Sequence, residues 1–286
     1  NDKERMSYDV EKTAIDYILA NPDIFNEEQV GWSFIGGEPF LEIELIDRIC
    51  DYLKLEMYRL NHKWFDSYMF SITTNGINYS DKKVQSFVQK NKDHLSICLT
   101  IDGTEKKHNL NRIYKRSGRG SYNDVVRNIP LWVRQFPGTS TKVTISSEDI
   151  PFIKESVEHI YSLGINAISI NVVFENVWKE GDDKLFENQL IQLADFIIDN
   201  DHYANKTCSF FDTSIGKPQN PKRNNNWCGT GMMLSIDAGG NFYPCTRFVQ
   251  YSLREKKARI IGNIHDGINQ NLLRPFLTLD RTTQRS

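Results

Sequence analysis

The sequence predicts an α/β fold of β/α units built around a parallel sheet. Three observations carry that prediction. Short, near-continuously apolar segments such as 95–101 alternate with amphipathic ones such as 9–20, and the alternation persists to residue 199. Polar, glycine-bearing turns close successive apolar segments at Gly36-Gly37, Asn75-Gly76 and Asp102-Gly103. The chain has 286 residues, 39% hydrophobic and 25% charged, which suits a sizeable core and excludes a collagenous, coiled-coil or wholly disordered chain. Pattern alone leaves open whether the sheet closes into a partial barrel or lies open and doubly wound.

Residues 9–20 read as a helix because Val10, Ala14, Tyr17 and Ile18 share one stripe, with Ser7 or Asp9 as cap. A strand at 31–35 ends in Gly36-Gly37-Glu38-Pro39. The helix after it turns Ile46, Ile49, Cys50 and Leu53 inward. A strand at 67–73, a turn at Thr74-Asn75-Gly76, a helix at 81–89 and a strand at 95–101 follow. The second half gives a helix at 121–136, a strand at 141–145, and a helix at 151–163 opened by Pro151 and closed by Gly164. A strand at 167–174 and a helix at 184–199, with Leu190, Leu193, Ala194 and Ile197 inward, complete five visible strands. Beyond about residue 203 the composition shifts to loop material at 218–226. A hairpin follows, with strands at 233–237 and 241–244 around Ala238-Gly239-Gly240. A boundary near 205 divides the chain into domains 1–204 and 205–286.

No run of 18 apolar residues and no signal-peptide pattern occurs, so a cytoplasmic protein without membrane spans is expected. The net charge of −2 gives no bulk attraction to nucleic acid or an anionic membrane, and neither is expected as a partner. Five scattered cysteines argue for thiols in a reducing compartment rather than a disulfide framework. Cys50 and Cys98 read as packing residues and Cys208 as core or loop. His202 and His265 have no neighbours at metal-ligand spacing.

In parallel β/α sheets ligands bind where strands end and helices begin. Gly36 and Gly37 admit a ligand close to the backbone, Glu38 offers a carboxylate to an amine, and Pro39 fixes the turn. Thr74 and Asn75 suit hydrogen bonds to a sugar, or an Asx turn. Asp102 suits ribose hydroxyls, or caps its own turn. The three turns close consecutive strands and so should lie side by side.

This combination resembles the radical S-adenosylmethionine (SAM) enzymes. The resemblance rests on 34–39 (FIGGEP), 72–76 (ITTNG), 100–103 (TIDG), 108–112 (HNLNR) and 118–122 (GRGSY). In that order they are similar to the peptide- and protein-modifying branch, with Thr100 where the family has serine and Asn109 where it has aspartate. The resemblance implies a partial (β/α)6 TIM-like barrel. It places Gly36, Gly37, Glu38 and Pro39 at the SAM ammonium, Thr74, Asn75 and Asp102 around the ribose, and Arg112 at the SAM carboxylate. The family's C-x-x-x-C-x-x-C loop for a 4Fe–4S cluster does not occur in these residues. The loop and its strand would precede Asn1, so the chain is expected to be a piece of a longer enzyme and inactive alone.

Cys228, Gly240 and Cys245, the last in GNFYPC, resemble the opening of a SPASM extension, which carries auxiliary 4Fe–4S clusters. The resemblance implies Cys228 and Cys245 as cluster ligands and a small C-terminal portion containing the hairpin. Together these features imply an oxidoreductase that cleaves SAM reductively and abstracts hydrogen from a residue of a peptide or protein. Thioether formation is one outcome, and flavodoxin or ferredoxin a fitting electron donor. The alternatives are a sulfatase-maturing type of enzyme and a non-catalytic β/α module that binds a nucleotide or peptide.

Overall fold

The computed structural model describes residues 5–212, 229–252 and 257–278. They form two compact units. One gathers Val30–Asp47 and Tyr68–Gly216, the other Asn1–Gln29, Arg48–Ser67 and Lys217–Ser286.

Helix α1 (Tyr8–Leu19) opens the chain, and the Ser7 hydroxyl caps it by accepting the Val10 amide. Strand β1 (Val30–Phe34) and helix α2 (Ile43–Arg59) follow, with the inward residues Ile46, Ile49, Cys50 and Leu53 all buried as expected. Next come β2 (Tyr68–Thr74), α3 (Lys82–Asn91), β3 (Leu95–Leu99) and a short helix α4 (Glu105–Asn111). The predicted helix over 121–136 is broken into α5 (Tyr122–Val126) and α6 (Ile129–Gln135). Pro130 has no N–H to continue the ladder. The Asn128 amide side chain instead donates to the carbonyls of Gly76 and Ile77, at 2.8 and 2.9 Å.

Strand β4 (Thr141–Ile145) is as expected. Pro151 does not open the helix after it. It lies inside a 3-10 turn, Ser147–Phe152, that starts where the Asp149 carboxylate accepts the Ser146 amide and hydroxyl, and α7 (Ile153–Ser162) begins beyond it. Strand β5 (Ala167–Val172) and helix α8 (Asp182–Asp199) follow, and only Leu193 of α8 is fully buried. A two-residue strand β6 (Thr207–Cys208) pairs with the start of β5, so the described residues hold six parallel strands where five were read.

The parallel strands run in chain order, β1-β2-β3 and β4-β5-β6, and a parallel bridge from Thr100 to Lys142 links the two sets. This sequential order is that of a β/α barrel rather than a doubly wound sheet. One face is apolar and buried, carrying Phe70, Ile72, Ile97, Leu99, Val143, Ile145, Ile168 and Ile170. The other face is not apolar, against the expectation for parallel strands. By strand alternation and register it carries Ser33, Ser71, Thr73, Ser96, Cys98, Lys142, Thr144, Ser169 and Asn171. Cys98 is therefore a half-buried residue of this polar face and not a packing residue.

The second unit contains an antiparallel sheet in the order β10-β9-β8-β7, made of β7 (Ser235–Ile236), β8 (Asn241–Tyr243), β9 (Gly262–Asn263) and β10 (Gly267–Ile268). Its first hairpin is the one the sequence predicted. Gly240 turns it at φ +78°, and the Asp237 carboxylate accepts the amides of Gly239 and Asn241. Phe242, Ile261, Ile264 and Ile268 form a core with Ala14 of α1 and Leu273 of α9 (Gln270–Leu277).

Candidate functional site

The three predicted turns occupy the carboxyl ends of β1, β2 and β3, adjacent in the sheet. After β1, Gly36 takes φ +155° and Pro39 is buried at the start of a 3-10 turn. Glu38 bridges to the next turn. One carboxylate oxygen accepts the Thr74 hydroxyl at 2.6 Å and the Phe40 amide at 3.1 Å, and the other accepts the Asn75 amide at 2.8 Å. The first two turns are thereby one hydrogen-bonded unit. Thr74 is buried, whereas Glu38 and Asn75 are half-buried, so the carboxylate is held from below and open on one side.

After β3, Asp102 is 4% exposed and accepts on both oxygens: Oδ1 from the Thr144 amide at 3.1 Å, Oδ2 from Arg112 Nε. Because Asp102 takes Nε, the terminal guanidinium nitrogens of Arg112 have no other partner among the described residues. The side chain retains 31% exposure. An arginine fixed from behind with its fork free suits a ligand carboxylate. Gly103 is required at φ +130°, where a Cβ would lie 2.2 Å from the Ser156 hydroxyl.

The sequence reading missed what holds Asp102. Lys107 of α4 is buried, its Nζ donating to the Thr144 carbonyl at 2.8 Å and lying 3.5 Å from Asp149 Oδ1 and 4.0 Å from Asp102 Oδ1. Burial would raise the Asp102 carboxyl, but Arg112 and Lys107 outweigh it and hold it below its usual value. Burial pulls the Lys107 ammonium down against the pull of Asp102 and Asp149. His108 accepts the Asp102 amide on Nδ1 and meets the Ser121 hydroxyl at 3.0 Å on Nε2. Burial pushes its pKa down to about 4. These contacts explain two further pieces of the motif set. Ser121 returns a hydrogen bond to the Arg112 carbonyl, and Gly120 must lack a side chain because a Cβ there would lie 2.1 Å from Asn109. Asp149 could have been found from its place three residues after Ser146. No local pattern marks Lys107.

Cys245 is buried with a free thiol, and Cys228 lies outside the described residues. Among the described residues no cluster of three or more histidine, cysteine or acidic side chains is arranged to hold a metal ion. None of their helices is long and apolar enough to cross a membrane. A cleft of about 720 Å³ beside Lys12, Asp16, Tyr52 and Arg59 includes none of the predicted site residues.

No known family profile matches the chain. An uncharacterised protein of Methanocaldococcus jannaschii is 25% identical over 274 residues, covering 93% of this chain and 81% of that one. Among solved structures, anSMEcpe with bound AdoMet superposes with a TM-score of 0.73 at 19% identity, over 96% of this chain and 75% of that one. The same protein with AdoMet and the Kp18Cys peptide gives 0.70. SuiB of Streptococcus suis bound to its precursor peptide SuiA gives 0.58 at 15% identity, over 97% of this chain and 59% of that one. The chain has the partial-barrel fold of the radical SAM enzymes that its motifs resemble, shared with anSMEcpe and SuiB.

Proposed function

We propose that this chain carries the SAM- and peptide-binding residues of a radical SAM peptide maturase. The observation that carries the proposal is the placement of opposite charges at the carboxyl ends of one three-stranded parallel sheet. Glu38 is held by Thr74 and Asn75, and Arg112 is held by Asp102 with its fork unpaired. An amino-acid zwitterion presents the complementary ammonium and carboxylate. Gly36 and Gly37 leave the backbone accessible beside Glu38; the Asn75 side-chain oxygen accepts the Ile77 amide at 2.9 Å in an Asx turn, which leaves its side-chain NH2 for the sugar. SAM held by these residues would, together with its cluster, supply one-electron, hydrogen-abstracting chemistry. This chain's own residues bind and orient; they contain no three-cysteine loop, so no step through that cluster is assigned to them. The peptides bound in anSMEcpe and SuiB support a peptide or protein substrate here. A flavodoxin or ferredoxin would serve as electron donor.

Glu38→Ala should weaken SAM binding to the chain by roughly 1.5–3 kcal/mol, the range for hydrogen bonds to charged groups. Calorimetric titration with SAM reads this directly, and equal affinity in the variant removes Glu38 from the site.

Residues 205–286 are proposed as the opening of an auxiliary-cluster extension with Cys228 and Cys245 as ligands. Supporting this, the Gly231 amide, three residues beyond Cys228, donates to the Pro244 carbonyl at 2.7 Å, one residue before Cys245. Two thiolates are half of the four such a cluster takes. Cys245→Ala should therefore lower the iron retained after anaerobic reconstitution. Identical iron content and absorption in variant and wild type would make the cysteine structural.

A further inference from the structure

The polar face of the parallel strands carries one charge. From β1 to β6 it presents Gly31 and Ser33, then Met69, Ser71 and Thr73, then Ser96, Cys98 and Thr100. Lys142 and Thr144 follow, then Ala167, Ser169 and Asn171, and finally Thr207. The interior of a closed β/α barrel is filled by bulky branched side chains. Here eight of those fourteen positions carry serine or threonine, which present hydrogen-bonding groups rather than a packed apolar core. Gly31, Ser33, Lys142, Thr144 and Asn171 are exposed.

Lys142 is the second residue of β4, with Ser169 opposite it on β5 and Thr100 opposite it toward β3. By strand alternation and register it lies on the same face as Cys98, whose thiol burial pushes up against the opposing pull of Lys142. Among the described residues no carboxylate pairs with it, and its neighbours in the ladder are all neutral. Lys142 is exposed, so water solvates its ammonium in the free chain, and a ligand laid over this face displaces that water and has to replace it with an acceptor. The zwitterion assigned to Glu38 and Arg112 already has both of its charges matched, so the substrate peptide is the ligand left to supply that acceptor.

We propose that Lys142 is a specificity residue that binds the carboxylate of an aspartate or glutamate in the substrate peptide, laid along the polar face. The proposal rests on the peptide-maturase reading above and names the substrate class within it.

The test uses two synthetic peptides that differ only in one glutamate, replaced by glutamine in the second. Each is titrated into the chain with SAM present, and SAM is titrated separately. Wild type should bind the glutamate peptide about tenfold more tightly, as a charge-assisted hydrogen bond allows. Lys142→Met should bind both peptides alike while its SAM affinity stays at the wild-type value. The proposal is overturned if wild type does not discriminate, if discrimination survives Lys142→Met, or if neither peptide binds at millimolar concentration. It is also overturned if Lys142→Met weakens SAM instead, which would assign the lysine to the SAM carboxylate. Failure of wild type to bind SAM strikes the functional reading alone, because the peptide pair is still compared on Lys142.

Discussion

Lys107→Met should destabilise the chain by about 3–5 kcal/mol, the cost of breaking a buried ion pair by removing one partner. The lysine side chain is 2% exposed, and its nearest acidic groups, Asp102 and Asp149, are 6% and 3% exposed at the side chain. Methionine matches the length of the chain but leaves two buried carboxylates with only Arg112 to balance them. Asp149 is the more exposed to this loss in energetic terms, because its Oδ1 is buried with no hydrogen-bond donor and relies on the lysine charge at 3.5 Å. Adding Asp149→Asn removes the uncompensated charge, so the double variant should recover part of the loss, with a coupling of about 0.5–3 kcal/mol. Acid unfolding also shifts. The Asp102 carboxyl is held below its usual value in the fold, so its contribution is present above the unfolded-state value and is lost as pH falls through the folded one. Without Lys107 that folded value rises and the acid midpoint moves up. Denaturant unfolding of the single and double variants measures both effects. A single variant within about 1 kcal/mol of wild type would mean that the quartet of Asp102, Asp149, Lys107 and Arg112 is not a coupled unit.

The parts of the fold and site that were legible in the sequence are those whose cause is local. The Gly-Gly-Glu-Pro turn, the Asp102-Gly103 turn and the Gly240 hairpin are each set by a positive φ or a side chain that bonds within a few residues. The break at Pro130 was equally local and was passed over because the apolar stripe continues through it. What was not legible depends on partners far apart in the chain. Thr144 and Asp102 meet across 42 positions, and nothing in the pattern around either announces it. Tyr17 of the first helix accepts the Ile268 amide across 251 positions, so the core shared by α1 and the C-terminal sheet has no sequence signature. The polar face of the strands was hidden for another reason. Serine, threonine and cysteine interspersed with isoleucine and leucine read as a weak apolar run, and only the register separates them into two faces.

Between about pH 6.5 and about pH 4 the chain should lose roughly 3 kcal/mol of stability through His108 alone. The imidazole is pushed down to about 4 by burial, with Arg112 and Lys107 adding to the effect and Asp102 opposing it. Its hydrogen bonds give the same sign. Nδ1 accepts the Asp102 amide, so a proton on Nδ1 would face another donor. A base whose folded pKa lies below its unfolded value binds more protons when unfolded throughout the interval between the two. Stability therefore rises with pH across that interval and is lost as pH falls through it. His62 and His159 are also pushed down, so the total slope belongs to more than one residue. The measurement is a difference: denaturant unfolding of wild type and His108→Gln at the two ends of the interval. Glutamine offers an acceptor to Asp102 and a donor to Ser121 but does not titrate. The variant should be flatter by about 3 kcal/mol, and an equal slope in the two proteins would show that His108 is not the titrating group. Because the same amide bond fixes the backbone of Asp102, and Asp102 fixes Arg112, SAM affinity should fall more steeply over the same interval in wild type than in His108→Gln.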